Sequence, residues 1–325
     1  MINKNNLKKY LIEKNVVNNN EQCEIKELSG GIINAVFRIE IERKNYIIKQ
    51  FLDEAKIDKK IKLNPKRFSY EKFAITYLDN ILGEKVTPPV VFFDEENKII
   101  CMEDLGQNNR LDHLIFSEGL DINIFSRIGK IISEIHNKSF FNKALPLLFD
   151  NEDFHELKIV FRYYKKIKEP SLIKIRDELI QNCRKNRITL IHNDLKMTNI
   201  FVLDNYKICL IDYEGAYYGD PAFEVGYFLG HLFLYYFNQP TKRNKQIILN
   251  FWNDYMGSLN FKNKQRLERN ITKHIGFIMI YKLIGLANED FNFIKGKNKE
   301  RLINISKKII LDDRIEKVYY LFKMA

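Results

Sequence analysis

Cysteine is scarce in this chain: four residues in 325, at positions 23, 101, 183 and 209. None forms a C-x-x-C pair, so neither a zinc site nor a disulfide framework is expected, and scattered free thiols suit a reducing cytosol. Long apolar runs are missing as well. The longest, VGYFLGHLFLYYF from residue 225, is too short to span a bilayer and contains His231, so it predicts a buried helix and no membrane partner. The opening MINKNNLKKYLIEKN has no uninterrupted apolar core and no small-residue cleavage site, which argues against a signal peptide and for the cytoplasm. Internal repeats and Pro/Gly/Ser-rich linkers are absent too, as is any helix-turn-helix, finger or RNA-binding pattern.

What is present is a globular composition. Hydrophobic residues make up 45% of a chain long enough for one large domain or two lobes with separate cores. The formal charge is +11, from 53 basic and 42 acidic residues. Lysine is spread along the whole length among abundant Asn and Ile, the pattern of an AT-rich genome. No nucleic-acid partner is therefore expected.

Strand signals dominate the first hundred residues. EIKELSGGIINAVFRIEI followed by KNYIIKQFL reads as two or three strands, with Gly30-Gly31 breaking the run. NPKRFSYEKFAITYLDNIL has apolar residues at helical spacing, and PPVVFFDEENKIICMEDLG reads as two strands about a polar turn at 94–98. From about Leu111 the pattern turns helical, interrupted by strand-like RITLIHN and NIFVLDNYKICLIDYE, a short polar hairpin region. The expected organisation is α+β: a small lobe at 1–104 with strands and a helix, then a larger, mainly helical lobe at 105–325.

One stretch carries chemistry. In TLIHNDLKMTNIFVL, His192, Asp194, Leu195 and Asn199 have the spacing of the kinase catalytic loop H-R-D-L-x-x-x-N, with Asn193 in place of Arg. In such a loop the Asp accepts the proton of the attacking hydroxyl, and the Asn reaches a Mg²⁺ on the phosphates. Lys196 can set a cation near the transferred phosphate, and His192 supports the loop through hydrogen bonds. A polar structural turn is the plain alternative.

Downstream, CLIDYEGAYYGD ends an apolar strand in Asp212 with Glu214 two residues on, a pair able to face one hard cation or simply to cap a strand end. Upstream, Lys49 sits inside the strand YIIKQF, where an unpaired ammonium is costly, and Glu71 on the next helix is its natural partner. A strand Lys paired with a helix Glu, touching the α/β-phosphates of ATP, is the kinase arrangement; an edge-strand surface Lys is the alternative. Gly30 and Gly31 would let a loop approach the phosphates, although a full G-x-G-x-x-G is lacking. ICMEDLG occupies the place of an interlobe hinge whose backbone at Glu103 to Leu105 would bind adenine. No long activation segment closed by A-P-E follows Asp212. That absence favours a small-molecule acceptor over a peptide.

Together, HNDLKMTN and IDYEGAYYGDPAFEVG resemble the aminoglycoside phosphotransferase and choline kinase superfamily. Within it the chain is most similar to the 5-methylthioribose kinases, in segments running from about Ser29 to Phe293. The resemblance implies a bilobal protein-kinase-like fold with an antiparallel N-lobe sheet plus helix, ATP between the lobes and the acceptor in the helical lobe. It assigns Asp194 as base, Asp212 and Glu214 with Asn199 as Mg²⁺ ligands, and Lys49 and Glu71 as the phosphate-anchoring pair. A homodimer is implied by the resemblance alone.

Three positions depart from the thioribose kinases. The phosphate loop is Ser-Gly-Gly where they have Asp-Gly-Asn, Asn199 stands where they tend to carry Ser, and Tyr281-Lys282 stand where a late helix carries a substrate-binding Arg-Arg pair. From Ala222 onward, 18 basic residues face 9 acidic ones, which disfavours a polycationic aminoglycoside. Tyr217, Tyr218, Phe223, Tyr227, Trp252 and Tyr281 are candidates for an aromatic cage around choline, though aromatics at helical spacing are more often core. The expected function is an ATP- and Mg²⁺-dependent kinase of a methylthioribose-like sugar. Choline, ethanolamine and aminoglycoside kinases are the enzymatic alternatives, and a nucleotide-binding pseudokinase is the non-enzymatic one.

Overall fold

The computed structural model describes residues 2–28, 33–42, 44–56, 62–117, 119–285 and 291–325. The chain divides into two compact units. The first comprises Met1–Asn109 together with Cys209–Glu214, and the second Arg110–Ile208 with Gly215–Ala325.

The first unit is built on a five-stranded antiparallel sheet. Its strands are β1 (Glu24–Glu27), β2 (Ala35–Glu40), β3 (Asn45–Gln50), β4 (Val90–Asp94) and β5 (Ile99–Glu103), in the order β1-β2-β3-β5-β4. Alternation sets which side chains turn inward: along β2, Ala35, Phe37 and Ile39 are buried while their neighbours are half-exposed. Helix α1 (Lys4–Glu13) starts at a reciprocal cap in which Asn3 and Asn6 satisfy each other's backbone N–H groups. Its Leu7 and Leu11 join Phe37, Ile39, Ile48 and Cys101 in one core. Helix α2 (Arg67–Ile81) buries Phe68, Glu71, Ala74, Ile75 and Leu78, the three-and-four spacing of a one-faced helix.

The second unit is mostly helical. It contains α3 (Leu111–Leu114), α4 (Ile124–Ser139), α5 (Leu145–Leu148), α6 (Glu152–Ile159) and α7 (Pro170–Lys185). Next come strands β6 (Thr189–Ile191), β7 (Ile200–Leu203), β8 (Lys207–Leu210) and β9 (Tyr217–Gly219), the last two residues of β8 belonging to the first unit. Helices α8 (Pro221–Asn238), α9 (Lys242–Ser258), α10 (Lys264–Ile284), α11 (Gly296–Leu311) and α12 (Val318–Leu321) complete it. The apolar run from residue 225 lies inside α8, which starts with Asp220 capping the Ala222 N–H and Pro221 in its first turn. Gly226 and Gly230 let α8 lie against α10: a Cβ on Gly226 would sit 2.3 Å from His274 Cβ, and one on Gly230 2.7 Å from Ile278 Cγ2. No helix among the described residues is long and apolar enough to cross a membrane.

The α+β expectation holds, an antiparallel sheet with a mostly helical remainder. One local pairing differs from the simple reading of TLIHNDLKMTNIFVL as strand, turn and strand. The partner of β6 is β9, in the register Thr189↔Gly219 and Ile191↔Tyr217. A polar loop with fixed hydrogen bonds, described next, occupies the place of a tight turn.

Candidate active site

In the first unit, an ion cluster forms around Lys49. The last three residues of β3, Ile48, Lys49 and Gln50, are all buried, and the Lys49 Nζ lies 2.6 Å from Glu71 Oε2, 2.6 Å from Asp212 Oδ1 and 3.9 Å from Glu214 Oε2. Burial works against the ammonium, but the carboxylates of Asp212, Glu71 and Glu214 outweigh it and hold the Lys49 pKa above the ordinary lysine value. Burial pushes the Glu71 carboxyl up. Lys49 draws it down, and the like charges of Asp212 and Glu214 add to the rise, which is the net direction.

Glu214 is held by residues that sequence reasoning missed. Arg67, fully buried one helical turn before Glu71, donates from Nη1 to Glu214 Oε2 (2.7 Å) and Asn34 Oδ1 (2.9 Å), and from Nη2 to Leu52 O (2.7 Å). Asn34 Nδ2 donates to the same Glu214 oxygen at 2.6 Å. A signal was available: Arg67 and Glu71 are four apart on one helix and so share a face. Asp212 has φ +70°, a left-handed conformation uncommon outside glycine but more accessible to Asp than to most residues. It interrupts the chain just before the short 3₁₀ turn Tyr213–Gly215.

The three carboxylates offer oxygens that lie within 4.8 Å of one another. An all-oxygen set with Asp212 one-third exposed suits Mg²⁺, which keeps several waters and takes one or two protein carboxylates. Of the expected nucleotide contacts, Gly30 and Gly31 lie outside the described residues. At the end of β5, the Glu103 N–H donates to Pro89 O (2.9 Å) and the Asp104 N–H to Asn45 O (3.0 Å), while Leu105 O accepts from Asn109 Nδ2 (2.7 Å). The Glu103 carboxylate pairs with Lys44.

In the second unit, the loop after β6 is fixed by a buried polar network centred on Asn193, whose φ is +66°. Its N–H donates to Glu224 Oε2 (2.8 Å), its Nδ2 to Gly215 O (2.9 Å), and its Oδ1 accepts from His155 Nδ1 (3.1 Å). Glu224 accepts from His136 Nε2 at 3.1 Å, and His136 Nδ1 lies 3.0 Å from the Tyr255 hydroxyl. Burial lowers the His155 pKa to about 4, so this ring is neutral near pH 7. The asparagine in the usual arginine position thus ties the loop to α6 and α8. His192 is buried beside it.

Asp194 projects from this loop into a ring of cations. Its Oδ1 lies 2.9 Å from Arg162 Nη2 and 3.1 Å from Lys158 Nζ, and its Oδ2 lies 3.3 Å from Lys196 Nζ. Burial would raise its pKa; Lys158, Lys196 and Arg162 together overcome that and hold the carboxyl well below the usual carboxylate range. Asn199 donates from Nδ2 to Asp194 O at 3.0 Å, closing the loop from its far end.

Lys158 and Arg162 were also missed. They lie four apart, and the helix widens its register at a π-turn, Val160–Tyr164, immediately after α6. Such π-turns are frequent at functional positions. Arg162 also donates to Asn193 O (3.2 Å), and its guanidinium covers the Tyr227 ring at 3.6 Å from the centroid. Lys282, nearly fully buried on α10, lies 6.0 Å from the Tyr227 centroid and 5.7 Å from that of Tyr281. Of the other aromatic-cage candidates, Trp252 and Phe223 are core residues, Tyr217 stacks on His155, and the Tyr218 hydroxyl donates to Ile188 O.

Comparison with known proteins agrees with this chemistry. Residues 125–249 match the family described as "Phosphotransferase enzyme family". A 4-hydroxytryptamine kinase of Psilocybe cyanescens is 27% identical over 249 residues, covering 65% of this chain and 67% of that protein. A methylthioribose kinase of Bacillus cereus (strain G9842) is 29% identical over 239 residues, covering 64% of this chain but only 60% of the relative. Among solved structures, a spectinomycin phosphotransferase in complex with ADP and spectinomycin superposes with a TM-score of 0.53, covering 100% of this chain and 99% of that one. At 14% identity this likeness is one of fold.

Proposed function

We propose that this chain, a small-molecule kinase of the phosphotransferase enzyme family, transfers the γ-phosphate of ATP to a hydroxyl of a sugar-like metabolite. The observation that carries the reading is Asp194: one carboxylate on a rigid loop, ionised by three cations and tied by Asn199 and Asn193. In the second unit Asp194 orients the acceptor hydroxyl and takes its proton as the hydroxyl oxygen bonds to the γ-phosphorus. The bond from that phosphorus to the β–γ bridging oxygen breaks, and ADP leaves with the electron pair. With its pKa so depressed, Asp194 acts mainly by orientation, receiving the proton late, as a loose phosphoryl-transfer transition state allows. Lys158, Arg162 and Lys196 offset negative charge near the transferred group.

In the first unit, Lys49 holds the α/β-phosphates, kept in place by Glu71, and the backbone at Glu103 to Leu105 meets adenine. Asp212 and Glu214 are the residues of this unit that would hold Mg²⁺. When bound, the ion neutralises charge on the phosphate oxygens. Arg67 and Asn34 keep the Glu214 carboxylate oriented.

An amine-bearing acceptor is the second reading, suggested by the 4-hydroxytryptamine kinase relatives and by the choline kinase resemblance. The cations around Asp194 weigh against it. The test is transfer of radiolabelled γ-phosphate to methylthioribose, other pentoses, choline, ethanolamine and aminoglycosides. Transfer to sugars is expected, and transfer confined to the amines would overturn the proposal.

A further inference from the structure

We infer that His136 on α4 and Tyr255 on α9 are positioning residues of the reaction: through the Glu224 carboxylate they hold the main chain of Asn193, and with it the side chain of Asp194. The inference rests on Asp194 as the residue that orients the acceptor hydroxyl. It assigns part of that task to two side chains outside the loop.

The direction of the hydrogen bonds comes first. A carboxylate only accepts, so the Asn193 N–H donates to Glu224 Oε2 (2.8 Å), and the proton of the His136 ring sits on Nε2, 3.1 Å from Oε1. The neutral ring then turns the lone pair of Nδ1 toward Tyr255, whose hydroxyl lies 3.0 Å away and donates. Burial, with the charges of Glu224 and Asp220, raises the Tyr255 pKa and keeps that hydroxyl protonated. Each proton has one place, and both donors converge on Glu224.

Burial comes second. His136 and Tyr255 are 0% exposed and Glu224 2%. A fully satisfied polar network in such a place rigidifies its surroundings more than it stabilises them, relative to a well-packed apolar core. The geometry it fixes here is uncommon: Asn193 has φ +66°, immediately before the residue that meets the acceptor.

Packing brings the two side chains together. Gly129 lies two helical turns before His136 on the same face of α4, and a Cβ there would sit 2.4 Å from Phe251 O and 3.0 Å from Tyr255 N. Its missing side chain lets α9 come close enough for the Tyr255 hydroxyl to reach the ring. Strand β6 is tied to the last turn of α4 by other bonds. The Leu190 N–H donates to Ser139 Oγ and the Thr189 hydroxyl to His136 O, both at 3.0 Å. Loss of the His136 ring therefore leaves the strand attached and releases only the loop that follows it.

Amide hydrogen exchange on the full-length chain, followed residue by residue by NMR, tests the positioning without reference to activity. In His136→Leu the Asn193 amide is expected to exchange roughly tenfold faster, with the Leu190 amide changing less than twofold. Equal acceleration at both amides, or none at Asn193, overturns the inference and leaves the kinase reading intact. On the unaltered chain, ¹⁵N spectra of the His136 ring are expected to show its proton on Nε2, and any other protonation pattern overturns the inference as well.

Turnover is the second measurement. It uses Mg²⁺, ATP and whichever of methylthioribose, other pentoses, choline, ethanolamine and aminoglycosides the unaltered chain phosphorylates fastest. His136→Leu is expected to lower kcat about 10²-fold, with KM for ATP changing less than twofold. Tyr255→Phe is expected to lower kcat about fivefold, and His136→Gln, whose amide N–H takes the place of Nε2–H, to regain most of the loss. Ser139→Ala, which breaks a tie to β6 and spares Glu224, reports the effect of local destabilisation alone. A kcat loss in His136→Leu matched by Ser139→Ala would mean that His136 is only structural. Should His136→Leu fold poorly, Tyr255→Phe keeps its ring stacked on Phe251 and carries both measurements. Phosphorylation of no acceptor by the unaltered chain overturns the kinase reading itself.

Discussion

Around Lys49 in the first unit, carboxylates outnumber cations: Glu71, Asp212 and Glu214 against Lys49 and Arg67. Around Asp194 in the second, the balance is inverted, with Lys158, Arg162 and Lys196 against a single carboxylate. Both clusters are largely buried, where each unbalanced charge is felt more strongly than in water. The surplus in each matches what the proposed function would have it receive. A carboxylate excess draws a divalent cation, and a cation excess draws phosphate or another anion. The two also differ in what moves their carboxylates. Neighbouring cations decide the state of Asp194, whereas burial and like charges dominate at Glu71.

Removing the lone carboxylate should have the largest effect. Asp194→Asn is expected to reduce turnover by about 10²–10⁴-fold, with ATP affinity, followed by calorimetry, changing little. Turnover near the wild-type value would mean that the second cluster serves binding and not the reaction.

Next comes the buried arginine of the first cluster. Arg67→Met leaves Glu214 facing Asn34 without its guanidinium and should cost about 3–5 kcal/mol, measured by urea unfolding. A cost below about 1 kcal/mol would show that Glu214 finds solvent or another partner, and that the carboxylate surplus is softer than its burial suggests.

Gly226→Ala separates charge from packing. The new Cβ would lie 2.3 Å from His274 Cβ, so α8 and α10 must part. A loss of about 1–3 kcal/mol is expected, visible as a lower Tm, with Glu224 and hence the Asn193 loop disturbed less than stability. A turnover loss out of proportion would show that the loop depends on helix packing more than on its own hydrogen bonds.

The smallest effect concerns pH. Because the folded-state pKa of Asp194 is depressed, its stabilising contribution is fully present above the unfolded value of about 3.9 and is lost only as pH falls through the folded value. The stability difference between wild type and Asp194→Asn should therefore be the same at pH 7 and pH 5, and shrink only in stronger acid. Urea unfolding at those pH values checks this, and shrinkage already at pH 5 would contradict the cation ring.

Much of the first unit was legible along the chain. The strands around YIIKQF and IICME, the helix starting near RFSYE and, in the second unit, the buried helix around VGYFLGHLFLYYF follow from strand-forming runs, from three-and-four spacing and from a long apolar stretch. These are local rules, so a single segment is enough to express them. The loop HNDLKMTN was also legible, because kinase chemistry needs its residues at short, fixed spacing. Other features were hidden. Nothing in EDFHELKIVFRYY announced that a π-turn would bring Lys158 and Arg162 to one carboxylate some thirty residues later. Nor did the chain advertise that β6 pairs with β9, or that Cys209–Glu214 belongs with the first unit.

The chain by itself determined the reaction class, since the groups that handle phosphate must be of particular types at particular separations. Folding decided the electrical character of each cluster. A lysine spread evenly through a sequence carries no address, and its charge counts at full strength only where burial strips away water. Lys158 and Arg162 acquire their meaning from that burial, beside a carboxylate that the chain order alone does not place near them.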